Sequence, residues 1–199
     1  MPTSSPSARP RRDSAATKRR LLGAATAEFA ARGIAGARVD RIASAAQANK
    51  RLIYDYFDDK DGLFDAVMEA NIDQIGDAVP IDANDLPGYA GRLFDYLLDR
   101  PDDLRLFTWA RLEGRLGPTA GAKSTDSYRR RLAAIEAAQQ DGHVTTRLTP
   151  PQILTLIESI SVGWIATTPE FLAAADDASP QDHEARREII IDSVRRLVT

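Results

Sequence analysis

The chain has 199 residues, 43% of them apolar and none of them cysteine. It can therefore bury a sizeable core, but it has no disulfide framework and no thiolate chemistry, which suits a reducing cytoplasm. No run approaches the ~18 apolar residues of a membrane span, and the net charge of −3 hides an asymmetry: residues 1–60 hold 12 Lys and Arg against 6 Asp and Glu, while residues 61–199 hold 14 against 23.

A basic front on an acidic body suits a molecule that meets phosphates at one end only. Residues 1–13 (MPTSSPSARPRRD) have the composition of a disordered tail. Their Arg9, Arg11 and Arg12 are either an arm for phosphates or a minor groove, or a solubilising terminus. A first helix is expected over residues 15–32, with Leu21, Leu22, Ala25 and Phe29 on one face and Gly33 as its stop.

The stretch at 38–64, RVDRIASAAQANKRLIYDYFDDKDGLF, carries most of the information. Val39, Ile42, Ala43 and Ala46 fall at i, i+3, i+4 and i+7, the apolar face of a short helix. Gln47-Ala48-Asn49 breaks the pattern, and Asn49 can accept a free amide of the next helix. In that helix Ala48, Ile53 and Phe57 are the expected buried side, with Lys50 and Arg51 in the first turn and Tyr54, Asp55 and Tyr56 exposed. A helix, a tight turn and a second helix bearing cations and tyrosines fit a DNA major groove, which admits one helix whose N-terminal residues reach base edges.

These residues closely resemble the DNA-binding segment of the TetR family of transcriptional regulators, whose pattern is roughly I-A-x-x-A-G-V-S-x-x-x-L-Y-x-Y-F-x-x-K-x-x-L. Ile42, Ala43, Ala46, Tyr54, Tyr56, Phe57, Lys60 and Leu63 match it. The departures are Gln47 for Gly, in a turn where a Cβ is strained, Leu52 for a small or hydroxylated residue, and Ile53 for Leu. With the preceding helix, the resemblance covers about 45 residues.

The chain reads as all-α with about nine helices, and the resemblance implies an N-terminal helix-turn-helix unit of three helices followed by a helical ligand-binding and dimerisation domain. The division expected is a tail at 1–13, a DNA-binding domain at 14–58 and a body at 59–199. Arg38 stands at a helix N-terminus, where a phosphate is favoured. Lys50 and Arg51 point to phosphates or guanine edges, Tyr54 and Tyr56 offer hydroxyls to phosphates, and Asp55 can accept from a cytosine amino group. With Asn49, and with Lys60 at the place of the family's Lys, they complete the expected DNA-contacting set. Lys18, Arg19 and Arg20 are either backbone contacts or a solvated face.

Asp58, Asp59 and Asp61 form a DDxD cluster that could hold magnesium in a helical enzyme. The stronger reading is that Asp58 or Asp59 caps a helix over residues 60–76. No metal or other cofactor is expected.

Further helices are expected at 88–99, 102–115, 124–142, 150–168 and 180–198, with loops at 77–87, 114–123 and 169–179. Thr149-Pro150 is a strong start signal. Phe94, Leu97, Phe107, Trp109, Leu112 and Trp164 are candidate walls of a small-molecule site, and Glu113, Glu158 and His143 are candidate polar groups within it. The resemblance implies a homodimer through the last two long helices, for which Ile153, Ile157, Ile160, Trp164, Ile190 and Val194 are candidates. Two-fold pairing would suit a palindromic operator in double-stranded DNA.

The function implied is a repressor released from its operator by an unidentified small molecule. Competing readings are an activator or corepressor-dependent regulator, a helical protein adaptor, or an enzyme resting on carboxylates alone. His143 and His183 are 40 residues apart without ligand spacing, and neither a phosphate loop nor a nucleophile elbow is present.

Overall fold

A computed structural model describes residues 10–115, 122–174 and 183–199, and within them it holds ten helices and no strand. The helices are α1 (Pro10–Gly36), α2 (Val39–Ala45), α3 (Arg51–Phe57), α4 (Lys60–Ala78) and α5 (Leu86–Asp99). They continue as α6 (Pro101–Leu112), α7 (Ala122–Gln140), α8 (Pro150–Ala166), α9 (Pro169–Ala174) and α10 (His183–Val198). The short α9 lies where a loop was expected, and most of the tail at 1–13 falls outside the described residues.

Starts follow local chemistry. Asp85 accepts from the Gly88 amide at 2.9 Å, so α5 begins two residues before Gly88 and takes Pro87 in its first turn, where the missing N–H costs nothing. Asp59 accepts from the Gly62 amide at 2.7 Å and is the cap of α4. The Thr149 amide donates to Gln152 Oε1 at 2.9 Å as α8 opens on Pro150.

The chain forms two compact units. The first holds the described residues up to Ala70 together with those from Asp102 through α6. It thus reaches past the boundary expected at 58/59, taking in the front of α4 and all but the first residue of α6. Leu21, Ala25 and Phe29 of α1, Ile42 of α2, Ile53 and Phe57 of α3, Leu63 and Phe64 of α4, and Leu106 and Ala110 of α6 make one core. The Phe29 and Phe64 rings meet edge to face at 5.1 Å. Helices of seven residues are not stable by themselves, so α2 and α3 owe their shape to this core.

The second unit holds residues 71–101 and the described residues from 122 on. Its core combines Tyr89, Leu93, Phe94 and Leu97 of α5, Ile135 of α7, Ile153 and Ile157 of α8, and Ile190 and Val194 of α10. Gly91 lets α10 come close: a Cβ there would lie 3.0 Å from Ile191 Cδ1. Buried Ser161 ties α8 to α5 by donating to the Ala90 carbonyl at 3.2 Å.

Candidate nucleic-acid interface

The turn between α2 and α3 ends α2 with a doubly bonded cap. The Gln47 amide donates to the Ser44 carbonyl and the Ala48 amide to the Ala43 carbonyl at 2.9 Å, with Gln47 at φ +49°. This is the geometry that favours Gly at the left-handed position. Gln47 adopts it despite its Cβ, so the departure from the family's Gly leaves the turn intact. Asn49 Oδ1 accepts from the Arg51 amide at 2.9 Å, as its type suggests at a helix start. Leu52 leans on the core instead of facing outward.

Of the expected DNA-contacting set, Arg51, Tyr54 and Asp55 on α3, Asn49 and Lys50 just before it, and Arg38 at the start of α2 are exposed. Lys50 Nζ lies 2.8 Å from Asp40 Oδ1, an ion pair that raises the lysine's pKa. Arg51 is paired loosely with Asp55 at 3.8 Å. Ile53 and Phe57 are buried behind this face.

Two members of the set stand elsewhere. Tyr56 is half-buried, and its hydroxyl shares a 2.9 Å hydrogen bond with Ser14 Oγ of α1. Lys60 is half-buried as well, and Nζ donates to the Ile34 carbonyl at 2.7 Å and the Ala37 carbonyl at 3.5 Å. Their polar atoms are engaged within the unit, where they brace the fold. Of the α1 cations, Arg20 donates to the Ala46 carbonyl at 3.2 Å and Lys18 lies over the Phe57 ring. The carboxylates of the DDxD stretch are engaged separately: Asp59 caps α4, while Asp61 pairs with Arg115 at 3.7 Å.

Sequence reasoning missed the carboxylate that orients α2. Glu28 Oε1 accepts from the Arg38 amide at 3.1 Å and from Arg41 Nε at 2.7 Å. The Arg41 bond holds the Glu28 carboxyl below the usual carboxylate range. The i, i+13 separation crosses a break in the helix, which is why no periodicity reveals it.

Residues 21–67 match the model of bacterial regulatory proteins of the tetR family, and residues 85–196 match the tetracyclin repressor-like C-terminal domain. The chain belongs to the TetR family. It is therefore a DNA-binding transcriptional regulator with a helix-turn-helix front and a helical C-terminal domain. It is similar, at 37% identity over 94% of this chain and 97% of the relative, to the HTH-type transcriptional repressor SCO4008 of Streptomyces coelicolor. The solved structure of SCO4942 from Streptomyces coelicolor is 39% identical, with a TM-score of 0.77 over 92% of this chain and 98% of that one. A TetR family transcription regulator from Marinobacter aquaeolei shares the fold at 22% identity, with a TM-score of 0.70 over 94% of this chain and 98% of the other.

In this TetR-family chain the candidate ligand wall divides between the units. Phe94, Leu97 and Trp164 lie in the second; Phe107, Trp109, Leu112 and Glu113 lie in the first. Leu112 is 72% exposed, and Glu113 is bonded to backbone amides near the end of α1. A solvent-open hollow of about 510 Å³ is lined by Ala30, Ala31, Arg105, Thr108, Trp109 and Leu112, all in the first unit.

The second unit has its own buried polar group. Arg131, 8% exposed, lies 3.5 Å from Glu158 and over the Tyr128 ring. Burial pushes the Glu158 carboxyl up while Arg131 pulls it down. The Tyr89 hydroxyl nearby is fully buried and makes no hydrogen bond to the described residues. His143 is exposed in the turn after α7.

Four of the six dimer candidates are core. Ile153, Ile157, Ile190 and Val194 are at most 1% exposed in a single protomer, so they have no surface left for a second copy. Ile160 and Trp164 keep partial exposure, and Leu156 and Ile189 are the exposed apolar residues of α8 and α10.

Proposed function

We propose that the protein is a homodimeric repressor that binds a palindromic operator through α3 and is released by a small molecule. The observation that carries the reading is the set of exposed polar groups on α3 and its N-terminal turn, Lys50, Arg51, Tyr54 and Asp55, over a buried apolar backing. The cations and the tyrosine hydroxyl meet phosphates and guanine edges, and Asp55 meets a base amino group. The 37% identical relative from Streptomyces coelicolor is a transcriptional repressor, which supports repression here.

Dimerisation is assigned to the outer stripes of the last two long helices. Leu156, Ile160 and Gly163 line one side of α8, and Ile189, Ser193 and Leu197 line one side of α10. A two-fold pair places two reading helices on half-sites about 34 Å apart or at multiples of that spacing. The polar group of Arg131, Glu158 and Tyr89 supports a ligand site inside the second unit, because buried polar groups without full pairing are costly unless something completes them. The effector then acts by preferring a conformation with the wrong half-site spacing.

The test is selection of duplexes from a random-sequence pool by the full-length protein. Enrichment of an inverted repeat with a fixed spacing supports the reading. Enrichment of single half-sites, or of none, contradicts it.

A further inference from the structure

We propose that Trp109 of α6 and Glu113, the residue after α6, are positioning residues for DNA binding, which set the α1–α2 junction and through it the reading helix. The argument starts at Gly33, where α1 leaves helical geometry at φ +66°, ψ 178°. In an unbroken helix the Ile34 amide would bond the Ala30 carbonyl. Here Trp109 Nε1 donates to that carbonyl at 3.2 Å, and Glu113 Oε1 accepts from that amide at 2.9 Å. The two halves of one backbone bond are thus taken by side chains four residues apart, across the turn that ends α6.

The space is closed as well. A Cβ on Gly33 would lie 2.8 Å from Trp109 Cε3 and 3.0 Å from Glu113 Oε1. Beyond the break, residues 34–37 form a single turn, closed by the Ala37 amide donating to the Gly33 carbonyl at 3.2 Å. Glu113 caps its N-terminal end, also accepting from the Ala35 amide at 3.4 Å. Lys60 Nζ binds the Ile34 and Ala37 carbonyls, and Arg41 Nη2 donates to the Gly36 carbonyl at 2.8 Å. Negative charge at the amide end and positive charge at the carbonyl end match the turn's dipole. α2 follows directly at Val39 and carries α3 behind it. None of these groups needs to touch DNA to fix where α3 stands.

A positioning role and a phosphate contact leave different signatures. Removing a phosphate contact lowers the slope of log affinity against log salt by about 0.9 per phosphate. Removing a positioning group lowers affinity and leaves the slope alone. The probe is the duplex that the full-length wild-type chain selects from a random-sequence pool, titrated by fluorescence anisotropy at several salt concentrations, with helix content followed by circular dichroism.

Glu113→Ala should weaken binding about tenfold, on the order of what losing a helix cap in each reading unit gives, with an unchanged salt slope. Glu113→Gln keeps the acceptor oxygen and should restore most of the affinity. Lys60→Met should behave as Glu113→Ala does and not as a lost phosphate contact, so it tests the same claim if Glu113→Ala fails to fold. Wild-type affinity in both Glu113→Ala and Lys60→Met overturns the proposal. So does a slope lowered by one or more ions per protomer in Lys60→Met, or a Glu113→Gln variant as weak as Glu113→Ala while both retain wild-type helix content.

Discussion

Single residues carry strain and charge that can be measured separately. Gln47 sits at φ +49°, where a side chain costs about 1 kcal/mol relative to glycine. Gln47→Gly should therefore raise stability by about that much in urea unfolding, with DNA affinity within twofold of wild type. A loss of stability would mean that the glutamine contributes more than its backbone costs. Glu28 gives a pH prediction. Its carboxyl is held down chiefly by the Arg41 hydrogen bond, so the folded state prefers the charged form. That contribution is present above the ordinary glutamate value of 4.5 and is lost as pH falls through the lower folded value. Wild type should lose stability more steeply than Glu28→Gln below about pH 4.5, and parallel curves would contradict the assignment.

At the scale of elements, α8 and α10 each have a buried face and an exposed one. Ile157 is fully buried, so Ile157→Ala should cost about 2–5 kcal/mol in unfolding free energy. Leu156 and Ile189 are 38% and 51% exposed. Leu156→Glu with Ile189→Glu should leave the protomer folded and convert a dimer to a monomer in sedimentation equilibrium. An unchanged mass would move the interface elsewhere.

The helices themselves were legible because i, i+3, i+4 spacing and caps such as Thr149-Pro150 and Asp59 are local signals. The face that each apolar residue serves was not legible. Ile153 and Ile190 fit a dimer stripe as well as a core, and only the packing of α5 against both helices decides. The reading helix was legible because α3 concentrates its polar side chains in seven residues. The partners of Lys60 and Tyr56 were not legible, because matching a motif fixes a residue's type and position but not its partner. Trp109 and Glu113 bond groups 79 residues away, which no sequence window contains.

For the whole molecule, the charge asymmetry and the two compact units agree on a division of labour. The positive front and the exposed polar groups of α3 belong to the first unit, and the Arg131, Glu158 and Tyr89 group belongs to the second. The most direct measurement is anisotropy titration of the full-length protein against DNA flanking its own gene, at two salt concentrations, beside Lys50→Ala and Tyr54→Phe. The account predicts tight binding to one palindromic fragment, weakened steeply by salt, with a lower salt slope in Lys50→Ala and a weaker complex in Tyr54→Phe. Binding that ignores sequence, or that neither substitution changes, would contradict the assignment of α3 as the reading helix.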